Sequence, residues 1–184
     1  MTEKEKQQKG LLYNPFEPTL SSERERAKSL LFEYNHTPPA DKEKRTKIIR
    51  QFLGSIGQHS VIEPVFQCDY GYNIFAGDNF YTNVGCVILD CAKVTIGHNV
   101  LLGPNVNIYT VGHPLAADVR ITGLESAKPI TIGSNVWIGG NTVILPGVII
   151  GDSTVVGAGS VVTKSIPSNV LAIGNPCNVL KTLQ

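Results

Sequence analysis

At 184 residues, with 42% hydrophobic and 17% charged residues, the chain is the size of one ordinary domain and apolar enough to bury a sizeable core. Sixteen Lys and Arg against fifteen Asp and Glu leave a formal charge of +1, which gives no electrostatic reason to expect nucleic acid or an anionic membrane as the main partner. No apolar run approaches the ~18 residues of a spanning helix, and the polar opening MTEKEKQQKG lacks the hydrophobic stretch of a signal peptide, so a cytoplasmic protein is expected.

The chain changes character near residue 57. Residues 1–57 hold 11 of the 16 basic and 8 of the 15 acidic residues but only 3 of the 18 glycines. This part reads as a helical N-terminal region. Ser22-Glu23-Arg24-Glu25 has the form of a capping box, followed by Ala27, Leu30, Leu31 and Tyr34 at helical spacing. Thr37-Pro38-Pro39 ends that helix, and Asp41 caps a second one running KEKRTKIIRQFL to Gly54. The charge run is the solvated side of two amphipathic helices.

Residues 58–184 carry an internal repeat. Ile96, Leu102 and Ile108 recur every six positions, and the series resumes in phase at Ile132, Ile138, Ile144, Ile150, Val156 and Val162. Six of these nine are followed by Gly, and a weaker version (Ala76, Thr82, Ile88) precedes Ile96 with two extra residues. A period of six fits one short strand and one turn, with the aliphatic side chain inward and Gly or Asn taking the bend. Three such units form a coil, and stacked coils bury one aliphatic column, which predicts a parallel β-helix. The general crossover preference makes the coils right-handed. Cys68 and Cys86, 18 residues apart, are expected to stack; with Cys91 and Cys177 they show no metal-ligand spacing and read as free thiols.

One excursion, residues 109–131, interrupts the column. Loops of this length inside a compact domain are usually functional or disordered, and this one holds His113 between Gly112 and Pro114. His36, His59 and His98 read as structural or surface residues.

The hexapeptide repeats, the helical N-terminus, and the segments CDYGYNIFAGDNFYTN (68–83), YTVGHPL (109–115), NVWIGGN (135–141), GAGSVVTK (157–164) and GNPCNVLK (174–181) together resemble the maltose/galactoside O-acetyltransferases, with details nearer the maltose branch. The resemblance covers essentially the whole chain. It implies a mainly β fold, a left-handed parallel β-helix with a short helical N-terminal region, overriding the right-handed default. It also implies a homotrimer with sites between subunits, and transfer of acetyl from acetyl-CoA to a sugar hydroxyl with no metal. Residues 1–57 are then a cap on the substrate side, and 58–184 the catalytic domain.

A sugar hydroxyl is a poor nucleophile near neutral pH, and histidine is suited to take its proton. By resemblance His113 is that base and the acetyl group passes directly. The sequence holds no G-x-S-x-G elbow and no Cys beside a local His. The matching acceptor positions are Asn14, Asp69, Asn83 and Asp90. Asp90 either contacts the acceptor or faces the core, and Cys91 replaces the second of the paired aspartates of the galactoside branch. Glu125 either orients the His113 imidazole or is a solvated loop carboxylate. On the donor side the resemblance places Trp137, Ala158, Thr163, Lys164, Asn178 and Lys181 against the coenzyme, and the Gly140 N–H at the oxyanion. Trp137 either walls the site or packs between subunits. Within the fold the rivals are a zinc enzyme needing three convergent histidines, a non-catalytic binding or structural solenoid, and an acyltransferase for a non-sugar, amino-sugar or antibiotic acceptor.

Overall fold

A computed structural model describes the whole chain, Met1–Gln184. Three helices come first: α1 (Glu3–Gln8), α2 (Pro18–His36) and α3 (Lys42–Phe52). The first lies where no helix is expected. It carries a true capping box, with Thr2 Oγ1 accepting the Glu5 N–H at 3.1 Å and Glu5 Oε2 accepting the Thr2 N–H at 2.7 Å. Helix α2 starts earlier than Ser22: Pro18 opens it and the Glu17 carboxylate accepts the Leu20 N–H. Ser22 is therefore interior, and its hydroxyl donates back to the Thr19 carbonyl. Helix α3 starts where expected, Asp41 Oδ1 accepting the Lys44 N–H at 3.1 Å.

The buried faces of α2 and α3, with Ala27, Leu31, Tyr34, Ile48, Ile49 and Phe52, close onto the first coil. Polar bonds fix the docking. The Tyr34 hydroxyl donates to the Ile62 carbonyl, and Asn35 both donates to the Phe66 carbonyl and accepts its N–H.

From Ser55 onward the chain winds as a parallel β-helix with three faces. The first face stacks Ser55–Ile56, Ile74–Ala76, Val94–Ile96, Ile130–Ile132 and Ile149–Ile150. The second stacks Val61–Ile62, Tyr81–Thr82, Leu101–Leu102, Trp137–Ile138, Val155–Val156 and Val170–Gly174, closed by the antiparallel Cys177–Thr182. The third stacks Gln67–Cys68, Val87–Leu89, Asn107–Tyr109, Val143–Ile144 and Val161–Val162. Every residue of the six-residue series from Ile96 to Val162 is buried.

The two kinds of corner residue have separate causes. At the first-to-second corner Asn79, Asn99, Asn135 and Ser153 all hold φ between 55° and 59°. Asn tolerates this left-handed region better than most side chains. Its side chains also bond coil to coil, Asn79 to Asn99 at 2.8 Å and Asn99 to Asn135 at 2.9 Å. The glycines that follow the aliphatic residues do not take the bend. They are needed because coils approach at backbone distance: a Cβ on Gly139 would lie 2.5 Å from the Ala158 N, and one on Gly97 2.7 Å from the Gly133 carbonyl carbon.

The third-to-first corner is where length varies. Ala76 pairs with Ile96, Ile96 with Ile132, and Ile132 with Ile150, so successive coils span 20, 36 and 18 residues. The excursion thus adds one coil's worth of chain, which is why the series resumes in phase. The 20-residue coils also overturn the expected cysteine stack: Cys68 pairs with Ile88, while Cys86 sits at a different corner, and all four cysteines are free and buried.

At this corner Asp90 is 0% exposed. Its Oδ1 accepts the N–H groups of Asp69 (3.0 Å) and Tyr70 (2.8 Å), and its carbonyl accepts Asn73 Nδ2 at 2.7 Å. The carboxylate is a peg for the turn 69–73.

Two predictions follow from this packing. Ile138→Ala leaves a void between Leu102 and Val156 and lowers unfolding stability by about 2–5 kcal/mol, read by denaturant titration. Burial pushes the Asp90 carboxyl up from the usual range to about 6. The fold therefore favours the protonated form, and Asp90's contribution is full at low pH and declines as pH rises through about 6. The melting-temperature penalty of Asp90→Asn is accordingly expected to be largest near pH ~4 and to shrink toward pH ~7. A penalty independent of pH would return Asp90 to the ordinary carboxylate range.

Candidate functional site

The excursion is built as a ribbon. Val111–Gly112 pairs antiparallel with Ser126–Ala127, and a short helix α4 (Ala117–Arg120) lies toward its tip. One step beyond the Gly112–Ser126 pair, this register brings His113 opposite Glu125. His113 Nδ1 lies 3.1 Å from the Leu124 carbonyl. A carbonyl only accepts, so Nδ1 carries the hydrogen in this bond and the neutral ring presents a bare Nε2. Nε2 lies 3.8 Å from Glu125 Oε1, with the histidine side chain 52% exposed and the glutamate 20%. The other oxygen, Oε2, accepts the Tyr13 hydroxyl at 2.8 Å.

Asp69 stands on the same third-to-first edge. Its Oδ2 accepts the Cys91 thiol at 3.3 Å and its Oδ1 has no partner in the chain. Burial raises its pKa. Asp90 is the peg described above, its side chain enclosed and turned to backbone donors. Asn14 lies beside Tyr13, but its Oδ1 is committed to the Phe16 N–H at 3.0 Å in an Asx turn that leads into α2. Asn83 lies at the second-to-third corner, where Oδ1 accepts the Val84 N–H and Nδ2 is left free.

The donor-side candidates are spread over the second face and two edges. Trp137 projects from the second face, 56% exposed, between Leu101 and Val155. Gly140 and Ala158 turn the second-to-third corner, and neither backbone N–H finds an acceptor in the chain. A Cβ on Gly140 would lie 2.9 Å from the Pro104 carbonyl oxygen, so a side chain there needs the neighbouring coil to shift. Asn178 and Lys181 are exposed on the closing strand of the second face. Thr163 and Lys164 are exposed at the third-to-first corner, on the edge that carries His113.

A cavity of about 640 Å³ lies elsewhere, between α2, α3 and the first coil, and none of the expected site residues lines it. No group of three or more His, Cys, Asp or Glu side chains is placed to hold a metal ion.

Three residues at this edge, Tyr13, Tyr70 and Arg24, were not foreseen from the sequence. Tyr13 and Tyr70 are buried together with Cys91, Leu20 and Ala127. Arg24 joins them from α2, its guanidinium donating to the Tyr70 hydroxyl at 2.7 Å and to the Pro15 carbonyl at 2.5 Å. No spacing rule links residues 13 and 24 to residues 70 and 125. Only the docking of the N-terminal helices does.

The maltose acetyltransferase hexapeptide capping motif matches residues 6–57, and the bacterial transferase hexapeptide model matches residues 129–164. The galactoside O-acetyltransferase of Escherichia coli is 45% identical over 95% of this chain and 86% of its own length. A maltose O-acetyltransferase from Clostridium difficile 630, known as a crystal structure, superimposes with a TM-score of 0.99 at 50% identity, covering 100% of this chain and 98% of that one. A galactoside acetyltransferase in complex with coenzyme A gives a TM-score of 0.96 at 42% identity, covering 100% and 92%. Sequence, repeat and structure agree throughout, and the chain belongs to the maltose/galactoside O-acetyltransferase family of hexapeptide-repeat acyltransferases.

Proposed function

We propose that the protein transfers acetyl from acetyl-CoA to a hydroxyl of a maltose- or glucose-like sugar, with His113 as general base and no acyl-enzyme. The observation that carries this reading is the His113 tautomer: the Leu124 carbonyl holds Nδ1–H and leaves Nε2 as a proton acceptor at an exposed edge. Nε2 takes the proton of the sugar hydroxyl as its oxygen attacks the thioester carbonyl carbon. The unpartnered Gly140 N–H is suited to receive the oxyanion. As the carbon–sulfur bond breaks, the imidazolium returns its proton to the departing sulfur, giving the acetyl ester and free thiol. Glu125, facing Nε2, favours the imidazolium between these steps. Asp69 offers an acceptor for sugar hydroxyls and Asn83 a donor. Trp137, Ala158, Thr163, Lys164, Asn178 and Lys181 are assigned to the coenzyme, the two lysines offsetting phosphate charge; the relative bound to coenzyme A supports this donor.

We also propose a homotrimer with the site shared between subunits. His113, Asp69 and Glu125 stand on one edge of the prism, whereas Gly140 and Asn83 turn another and Trp137 lies on the second face, on the far side of that edge. A neighbouring copy brings the two edges together. The second face supports this, since Val61, Leu101 and Trp137 form a column 45–56% exposed, an apolar stripe that association would cover. Residues 1–57 act as the substrate-side cap of the 58–184 catalytic domain, and a cytoplasmic setting suits the donor; no helix is long and apolar enough to cross a membrane.

Thiol release from acetyl-CoA across a panel of sugars tests the chemistry. His113→Ala is expected to lower sugar-dependent release by ~10²–10⁴-fold; undiminished release would remove His113 from the role. Release that appears only with amino sugars or non-sugar acceptors would move the protein to another acceptor class, and none with any acceptor would point to a binding role. The native mass is expected at about three times the 19.9 kDa chain. Refolding inactive His113→Ala and Asn83→Ala chains together is expected to regain activity through hybrid sites, which a site contained in one chain would not allow.

A further inference from the structure

We infer that Tyr13 is a positioning residue for acetyl transfer: its hydroxyl holds Glu125 so that the second carboxylate oxygen faces His113. The inference rests on the reading of His113 as base. Tyr13 is 112 residues from Glu125 in sequence and is 0% exposed. It grips Glu125 three times. Its N–H donates to the Glu125 carbonyl at 3.0 Å, its carbonyl accepts the Glu125 N–H at 3.1 Å, and its hydroxyl donates to Oε2 at 2.8 Å. The remaining oxygen, Oε1, is then the one 3.8 Å from His113 Nε2. The residue before Glu125 supplies the carbonyl that fixes the His113 tautomer. One short segment, 124–125, therefore sets both the proton-bearing nitrogen and the charge facing the other nitrogen, and Tyr13 pins that segment along its free edge.

Packing makes Tyr13 a fixed donor. Leu20, Tyr70, Cys91 and Ala127 enclose it. Burial also pushes its phenol well above the ordinary tyrosine value, so the group remains protonated. Without that hydroxyl the carboxylate loses its only partner on Oε2 and is free to rotate away from the imidazole. The N-terminal segment thus does more than cover an end of the coil: through one hydroxyl it reaches the reacting proton.

The test compares wild type, Tyr13→Phe, Glu125→Gln and the double variant, with Tyr34→Phe as a control that deletes a buried hydroxyl bonded to the distant Ile62 carbonyl. Tyr13→Phe is expected to lower kcat about tenfold, the size of one hydrogen bond to a charged group. The KM for acetyl-CoA and the native mass should not change, and Tyr34→Phe should leave kcat unchanged while lowering the melting temperature. In the double variant kcat should equal that of Glu125→Gln, because Tyr13 acts through Glu125. Full kcat in Tyr13→Phe, or losses that multiply in the double variant, would overturn the proposal. The ¹⁵N spectrum of the His113 imidazole gives a readout independent of turnover: its Nε2 resonance is expected to move in Tyr13→Phe, and an unmoved resonance also counts against it. Should His113→Ala keep its activity, the base assignment fails; should only Tyr13→Phe keep it, the positioning role fails alone.

Discussion

Each coil must return its aliphatic side chains to the same three columns, and that closure condition governs the rest of the molecule. Backbone hydrogen bonds run from coil to coil at every face, and glycines such as Gly97 and Gly139 allow corners to touch without a Cβ between them. A face cannot gain a residue, because side chains alternate in and out and a one-residue slip would turn the column outward. Extra chain can enter only at a corner. Here it enters at one corner, as two residues in the early coils and as one whole coil's worth in the excursion. The chemistry-bearing residues follow: Asp69, Asp90, Cys91, His113 and Glu125 all stand on the edge where the repeat is irregular.

The β-helix was legible because its period is enforced by closure, and every inward residue of the series is buried as the six-residue spacing requires. His113 stood out for the converse reason, as a histidine between Gly112 and Pro114 where the period fails. What the period does not encode stayed hidden. Gly or Asn was expected at the bend, and both take left-handed corner positions, Asn99 and Gly159 among them; the glycines directly after the aliphatic residues serve close approach instead, a distinction that depends on the next coil rather than on the local chain. The Cys68 and Cys86 separation matched the ideal coil but not the 20-residue coils that contain them. The Ser22 box matched a cap pattern, but Pro18 and Glu17 had already opened the helix. Tyr13, Arg24 and Tyr70 meet only through docking of α1 and α2, a tertiary event with no signature in spacing.

The same constraint explains why one chain leaves its expected site open. Turns that expose unpartnered N–H groups, Gly140 and Ala158, lie on the regular second-to-third corner, where the coils are tight and identical. The titratable side chains need room and irregular backbone, and so lie on the third-to-first edge. A rigid prism cannot fold these edges together. In the proposed trimer two copies laid side by side would do so, with the exposed column of Val61, Leu101 and Trp137 on the second face as the surface to be covered.

The Glu125–His113 pair shows which link carries the energy. Two unit charges about 4 Å apart are worth about 1 kcal/mol in water and about 4 kcal/mol at an effective dielectric of 20. In the free chain the histidine side chain is half exposed and solvent screens the pair, so it adds little to folding. On the proposed role of His113 as base, it becomes valuable only when the ring has taken a proton and an acceptor or neighbouring subunit has displaced water. An interaction that is weak in the resting state and strong in the charged one lowers the barrier without tightening the ground state. That difference requires the carboxylate to be in place beforehand, since a side chain that must reorient during the reaction forfeits the gain. The buried Tyr13 hydroxyl and the paired 124–125 segment meet the requirement at a site that otherwise sits on a loop.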